Sequence, residues 1–187
     1  MNRGVCCSPM RSALLATLAF AAAASPASFA IGPAGIVGPP PTPLTIVVVR
    51  HAEKASDTAR DPELSDAGHA RARALAAALR DEPLVAAWSS DFRRTRQTAA
   101  PAAQAHGLDV RTYDAALPAE EFARQLRRAH ASGFVLVVGH SNTVPGIVAA
   151  LCGCEVDPID ESVYGGRYDV RFDADGRATL TVSHFPA

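Results

Sequence analysis

The sequence has almost no lysine and no excess of positive charge. Lys54 is the single lysine among 187 residues, beside 17 arginines. Together these number 18 against 19 acidic residues, a formal net charge of −1. This balance excludes a generally basic nucleic-acid-binding protein, which would carry a surplus of positive charge. Arginine's planar group suits phosphate and carboxylate, although the codon bias of a GC-rich genome is the simpler explanation of the excess as a whole.

Long apolar runs are also scarce, and the one that is present lies near the start of the chain. Residues 1–30 have a positively charged beginning, an apolar run of 13 residues from Ser12 to Ala24, and small residues at Ser28 and Ala30. This three-part pattern is typical of a secretory signal peptide, and the run is too short to span a bilayer comfortably. We therefore expect an exported, periplasmic or secreted protein; an uncleaved membrane anchor is the alternative.

Residues 31–43 contain five prolines and three glycines in 13 positions. Such a segment cannot maintain a helix or a strand ladder, so it is predicted to be an extended linker. The folded domain is then expected over residues 44–187. Loss of the leader would remove two arginines and leave 16 positive against 19 negative side chains, a net charge of −3.

Of the four cysteines, only Cys152 and Cys154 lie in the predicted domain. Two cysteines in a domain of this length do not make a disulfide scaffold. A bridge across a single residue is geometrically tight, so we expect an ordinary loop after a helix here. A redox pair or a soft-metal site is the alternative.

Three continuous apolar runs, at residues 44–49, 84–88 and 134–138, are typical of strands buried on both faces. They alternate with segments of helical spacing, which predicts an α/β fold: a three-layer α/β/α sandwich with a mainly parallel sheet and a C-terminal β-hairpin. The remaining predicted elements are helices over residues 64–82, 91–106 (with a bend at Pro101), 118–131 and 144–151, a short strand over 110–113, and hairpin strands over 162–172 and 178–185.

Each of the three apolar strands ends in polar residues, and ligands of such sheets bind beyond the carboxyl ends of the strands. Arg50 and His51 follow the first strand directly. Neutral imidazole is a competent nucleophile, and an adjacent guanidinium favours the neutral ring while attracting an anion. A histidine that merely caps the strand is the structural alternative.

The second strand ends at Ser89 and Ser90, and a helix rich in arginine begins just after it. Arginines at a helix N-terminus favour anion binding. Helical spacing places Arg94, Gln97 and Thr98 on one face, so only one or two of the arginines can reach a common site. A solvated basic face is the alternative.

The third strand ends at Gly139, where the backbone can approach a ligand closely, and His140, Ser141, Asn142 and Thr143 follow as donors. If this strand neighbours the first, two histidines flanked by arginines form a pocket suited to a tetrahedral dianion.

Taken in order, these segments resemble the histidine phosphatase superfamily, also called the phosphoglycerate mutase-like family, over most of residues 44–182. The chain is most similar to a small exported member of its first branch. The motifs that carry the resemblance are Arg50-His51 with Glu53, the helix start from Leu64 to Gly68, Ser89-Ser90 with Arg94 and Gln97-Thr98, and Gly139-His140.

The resemblance implies that His51 accepts the phosphoryl group, that Arg50, Arg94 and His140 bind its oxygens, and that no metal or other cofactor takes part. Water would then hydrolyse the phosphohistidine. Ser141 and Asn142 are expected to contact the substrate. The family usually has glycine after the first histidine, and the methyl group of Ala52 is expected to narrow the pocket slightly.

The proton donor is left open by the sequence. Ser141 stands where the acid-phosphatase and phytase branch has aspartate, so that branch is not expected. Glu53, Asp114, Glu120 and Glu121 are candidates, and Glu53 is the nearest to the nucleophile in sequence. The loops after Glu53 and over residues 117–122 are expected to frame the substrate entrance.

Two other functions compete with a phosphatase that acts on a small phosphorylated substrate. A non-catalytic phosphate- or phosphoprotein-binding module would keep the arginines without needing the nucleophile. A metal hydrolase could use His51, His140 and a carboxylate, but Arg50 and Arg94 would repel a divalent cation. No nucleic-acid partner is expected, no membrane contact is expected after removal of the leader, and the oligomeric state is open.

Overall fold

The computed structural model describes residues 42–55 and 60–185. The predicted signal peptide and residues 31–41 of the predicted linker lie outside the described residues, so these boundaries stay predictions. None of the helices in the described part of the chain is long and apolar enough to cross a membrane.

Strands and helices alternate along the chain and form one mixed sheet with helices on both faces, which confirms the predicted α/β fold. The sheet order is β3-β2-β4-β1-β5-β6. Strands β1, β2, β3 and β4 run parallel to one another. Strand β5 pairs antiparallel with β1, and β5 and β6 form the antiparallel C-terminal hairpin. The elements are β1 Leu44–Arg50, α1 Asp66–Ala78, β2 Leu84–Ser90, α2 Arg93–Ala105, β3 Val110–Tyr113, α3 Ala119–Ala129, β4 Gly133–Gly139, α4 Val144–Cys152, β5 Gly166–Phe172 and β6 Ala178–His184.

The core has two layers, one on each face of the sheet. In β1 every residue is buried, and successive side chains point to opposite faces. Ile46 and Val48 pack with the apolar side chains of α3 and α4, whereas Val47 and Val49 pack with those of α1 and α2. Burial on both faces explains why this strand is continuously apolar.

Two predicted elements are shorter in the structure. Helix α1 ends at Ala78 with Leu79 as its C-cap, rather than at residue 82, and the chain then turns toward Pro83. A residue that precedes proline is disfavoured in helical conformation. Strand β5 begins at Gly166 instead of residue 162, because the segment before it leaves the sheet and directs its carbonyl groups at another side chain, described below.

The prediction of an ordinary loop at the second cysteine pair was wrong. Cys152 and Cys154 form a disulfide, with Cα atoms 5.2 Å apart. Between them Gly153, the C-cap of α4, adopts a left-handed conformation with φ 66°. Glycine tolerates this conformation, and the resulting turn brings the two sulfur atoms together.

The register of the two central strands sets the position of the site. Arg50 of β1 lies opposite Gly139 of the parallel strand β4, and the His51 backbone N–H donates to the Gly139 carbonyl at 2.9 Å. The next residue of each strand is a histidine, so His51 and His140 meet at the same edge of the sheet. The carboxyl end of β2, at Ser90, borders them on the other side of β4.

Candidate active site

His51 and His140 form the centre of the site. Their ring centroids are 5.3 Å apart with the rings nearly perpendicular, and only 5% of His51 is exposed. Nδ1 of His51 lies 2.7 Å from the Ala52 carbonyl. A carbonyl can only accept, so this contact assigns the ring proton to Nδ1. The lone pair of Nε2 is therefore free to act as a nucleophile.

Burial keeps the His51 ring neutral. The pKa of His51 is lowered from 6.5 to about 4, chiefly by desolvation and less by the charges of His140, Arg94 and Arg50, against the opposing effect of the hydrogen bond to Ala52. Repulsion by Arg50, the cause expected from the sequence, is thus present but smaller than burial. The ring is unprotonated at neutral pH, as nucleophilic attack requires.

His140 is held by contacts on both ring nitrogens. Its Nε2 lies 2.8 Å from the Ser90 hydroxyl and its Nδ1 lies 3.4 Å from Nη2 of Arg94. A guanidinium only donates, so Nδ1 accepts and Nε2–H donates to Ser90. Burial, followed by the charges of Arg94 and Arg50, lowers the pKa of His140 to about 4. The serine that ends β2 therefore orients this ring.

Arg94 is the one arginine of the α2 start that faces the histidines. Its guanidinium lies 4.4 Å from the Phe92 ring centroid and 3.6 Å from the Asp61 carboxylate. Its Nε is buried without a hydrogen-bond partner among the described residues. Arg93 and Arg96 point elsewhere and pair with Glu63 and Asp91, respectively.

Arg50 is engaged by the segment before β5. Its side chain is 3% exposed. Nη1 donates to the carbonyls of Asp160, Glu161 and Val163 at 3.0, 2.9 and 2.8 Å. Nη2 donates to the Glu161 carboxylate at 2.8 Å, and the guanidinium lies 4.2 Å from the Tyr164 ring centroid. Nε is buried and lacks a partner within the described part of the chain.

A cavity of about 480 Å³ lies over the two histidines. It brings together five of the predicted site residues, whereas Arg50 lies behind the segment that contacts it and does not line the cavity. The lining residues are His51, Lys54, Phe92, Arg94, Ala115, His140, Ser141, Asn142, Thr143 and Glu161. No group of three or more histidine, cysteine or acidic side chains that could hold a metal is found within residues 42–55 and 60–185.

Glu53, the first candidate proton donor, faces away from this cavity. Its carboxylate accepts from Nε and Nη2 of Arg71 at 2.9 and 2.6 Å. These hydrogen bonds lower the pKa of Glu53, so it is ionised at neutral pH and has no proton to donate. The geometry assigns it a structural role in fixing the segment after His51.

The cavity contains a carboxylate that the sequence analysis missed. Asp114, Glu120 and Glu121 are exposed and do not line it, but Glu161 does. Glu161 also accepts a short hydrogen bond from the Ser141 hydroxyl. The contact with Ser141 and then the charge of Arg50 lower the pKa of Glu161. The available signal was its place just before a strand that could pair antiparallel with β1.

The other motif residues support the loop that follows His51. Ser65 caps α1 by accepting from Gly68 N at 3.1 Å, and a Cβ on Gly68 would lie 2.1 Å from the Glu53 carbonyl oxygen. Helix and loop therefore approach too closely for any residue but glycine. On the α2 side, the Thr98 hydroxyl accepts from Ala52 N at 3.0 Å.

The expected narrowing of the pocket by Ala52 is not observed. Ala52 is 1% exposed and packs with Leu64 and Ala72 in a small separate cluster, and it is absent from the cavity lining. Its methyl group fills the space between the loop and α1.

Comparison with known proteins agrees with this arrangement. Residues 46–117, which hold His51 and Arg94, match the profile of the histidine phosphatase superfamily (branch 1). Over these residues, which are fewer than half of the chain, the sequence is similar to this superfamily. None of the curated proteins is significantly similar to it in sequence.

Solved structures of histidine phosphatases share the fold. A putative phosphohistidine phosphatase SixA from Nakamurella multipartitia is 27% identical with a TM-score of 0.59, over 79% of this chain and 100% of that one. The protein histidine phosphatase SixA, solved with tungstate, is 22% identical with a TM-score of 0.61, over 76% and 97%. A putative α-ribazole-5′-phosphate phosphatase from Escherichia coli is 16% identical with a TM-score of 0.62, over 78% and 98%.

Proposed function

We propose that this protein is an exported histidine phosphatase that hydrolyses small phosphate monoesters through a phosphohistidine on His51. The observation that carries the proposal is a buried, neutral His51 with a free Nε2, placed beside Arg94 and His140 in one cavity. Arg94 lines this cavity, and its charge attracts the phosphate dianion.

The chemistry is a double displacement at phosphorus. Nε2 of His51 attacks the phosphorus atom, the ester P–O bond breaks, and the leaving oxygen takes up a proton from solvent. Water then attacks the phosphohistidine and gives up a proton to solvent, the P–N bond breaks, and inorganic phosphate leaves while His51 returns to its neutral form. The protein's part is to position the groups in line and to neutralise charge on the equatorial oxygens, which Arg94 does directly and Arg50 does from behind the segment before β5.

Two features support export to the periplasm or beyond. The first 30 residues have the pattern of a signal peptide, and the domain carries a disulfide between Cys152 and Cys154. Disulfides persist in oxidising compartments and are rare in the cytosol. Cell fractionation of the full-length chain tests this proposal: activity in the periplasmic or secreted fraction supports it, and retention in the cytosol, or in the membrane as an anchored form, contradicts it.

The enzymatic proposal is tested with the mature protein and p-nitrophenyl phosphate in the presence of EDTA. We expect His51→Ala to lose at least 100-fold in kcat, in line with the loss of a covalent nucleophile. His184→Ala, at an exposed position of β6, is the matched control and is expected to keep wild-type activity. An acid-labile phosphoenzyme, trapped by rapid quench in the wild type and absent from His51→Ala, is the positive signature.

Three outcomes would contradict the proposed function or favour an alternative to it. Equal turnover by the wild type and His51→Ala would refute the nucleophile. Activity lost in EDTA and restored by zinc would favour a metal hydrolase. Binding of phosphate without turnover of any ester on a broad panel would favour the non-catalytic binding module.

A further inference from the structure

A second cavity lies beside the catalytic one. It has a volume of about 170 Å³ and is formed between the segment from Ala115 to Ala119 and the first turns of α4. The two cavities share Ala115, Asn142 and Thr143. A group bound over His51 therefore needs to extend only past these three residues to enter the second cavity.

The two cavities differ in chemistry. The catalytic cavity is lined by Lys54, Arg94 and Glu161 as well as the histidines, whereas no charged side chain lines the second cavity in the described chain. Most of the side chains in its walls are apolar, and two of them, Phe122 and Ile147, belong to the core. Apart from the shared residues they comprise Tyr113, Leu117, Ala119, Phe122, Gly146 and Ile147.

The polar side chains of the second cavity are few and largely engaged. The Tyr113 hydroxyl lies 3.5 Å from the Val138 carbonyl, and the Thr143 hydroxyl accepts from His140 N at 3.0 Å. Asn142, at the border with the catalytic cavity, is the remaining polar side chain. A polyol or sugar placed here would lose hydrogen bonds to water without regaining them, whereas an apolar group would gain by leaving water.

We propose that this second cavity, the apolar cleft, binds the leaving group of the substrate. The preferred substrates are then phosphate monoesters of apolar alcohols or phenols, carrying a short alkyl chain or a single ring. This inference rests on the proposed phosphatase function, since the cleft is defined by its position next to the phosphoryl group on His51. The phosphoryl group occupies the charged cavity, and the ester oxygen lies near Asn142 and Thr143.

The chain offers variants that alter the cleft alone. Gly146 is exposed and lines the cleft, and a Cβ there would make an ordinary contact of 3.4 Å with the Ala119 Cβ, so we expect Gly146→Leu to narrow the cleft. Glycine is a weak helix former, so the substitution is not expected to weaken α4. Leu117→Asn makes the wall polar at similar size. Ala77→Leu, exposed on α1 at the opposite face of the sheet, is the matched control.

The experiment measures phosphate release from ethyl, n-butyl and 4-hydroxybutyl phosphate. These esters have alcohol leaving groups of similar basicity, so their reactivities match and differences in kcat/KM report binding of the chain. We expect kcat/KM to rise about tenfold from ethyl to butyl phosphate, and to fall again by a similar factor for 4-hydroxybutyl phosphate. In Gly146→Leu and Leu117→Asn the butyl-to-ethyl ratio is expected to fall to about one, while Ala77→Leu keeps the wild-type ratio.

The experiment distinguishes failure of the apolar cleft from failure of the proposed phosphatase function. If the wild type hydrolyses all three esters with a butyl-to-ethyl ratio of kcat/KM near one, the apolar cleft is not the leaving-group site. The proposed phosphatase function is unaffected by that result. A tenfold ratio that persists in both cleft variants would place the apolar contact elsewhere and also overturn the apolar cleft as leaving-group site. No turnover of these esters or of p-nitrophenyl phosphate would overturn the proposed function itself.

Discussion

The neutral state of His51 makes a prediction about stability that does not depend on any substrate. Its pKa is lowered from 6.5 to about 4 in the folded chain. Between these two values the unfolded chain binds a proton that the folded chain does not. Stability therefore falls as the pH falls below 6.5, and the loss from this residue is complete near pH 4.

The size of the effect follows from the two pKa values. A difference from 6.5 to about 4 corresponds to about 3 kcal/mol when complete and to ~2 kcal/mol at pH 5. No large correction for solvent screening applies because His51 is only 5% exposed. His140, with its pKa lowered in the same direction, contributes as well, but the two rings are in contact and their contributions are not additive.

The assay is urea unfolding of the wild type and His51→Asn at pH 7.5 and pH 5.0. We expect the wild type to lose about 2 kcal/mol more than His51→Asn between these two pH values, because asparagine cannot be protonated. His184→Asn, which replaces an exposed histidine of β6, is the control and should follow the wild type. An identical loss in the wild type and His51→Asn would refute the reasoning that burial keeps this ring neutral.

Three further predictions concern residues around the nucleophile. Glu161→Gln removes the negative charge that lies 2.8 Å from Arg50, and should tighten binding of inorganic phosphate by about three- to tenfold in calorimetry. The control is Asp175→Asn, which removes a negative charge in an exposed turn, and an equal phosphate affinity of the two variants would contradict the prediction. Gly68→Ala puts a Cβ 2.1 Å from the Glu53 carbonyl oxygen and should cost about 1–3 kcal/mol in urea unfolding, whereas Gly146→Ala, with its 3.4 Å contact, should cost nothing. Arg71→Met leaves the Glu53 carboxylate without its partner and should lower the free energy of unfolding by about 1–2 kcal/mol at pH 7. Because the pKa of Glu53 is lowered in the folded chain, this loss of stability should shrink as the pH falls through that pKa. A loss of stability that is independent of pH would argue against the pairing of Arg71 with Glu53.

The layout of the sheet was readable from the sequence because its central strands are buried on both faces. Residues 44–49 contain no polar side chain other than Thr45, and a run of this kind admits few alternatives to an internal strand. The strand-end histidines followed from the same reasoning. The pairing of β1 with β4 did not follow from it, because an apolar run does not indicate which strand lies beside it. The joint pocket of His51 and His140 requires that pairing.

The contacts made by Arg71 and Glu161 could not be predicted from the sequence, for a different reason. Each joins groups that local spacing does not bring together: Arg71 is 18 positions from Glu53, and Glu161 is 111 positions from Arg50. Local spacing presents Arg71 only as one more polar residue on an amphipathic helix. The disulfide was not predicted because a bridge across one residue is normally tight, and it forms here through the left-handed turn at Gly153.

The order of the strands also means that different residues of the site differ in how readily the backbone around them unfolds locally. His51 and His140 extend from β1 and β4, the two innermost strands, whose amides are expected to exchange with solvent only when the whole domain unfolds. Glu161 belongs to an exposed connection that can open at a smaller cost. We therefore expect the nucleophile to lie in the slowest-exchanging part of the domain, and Glu161 to lie in a part that opens more readily.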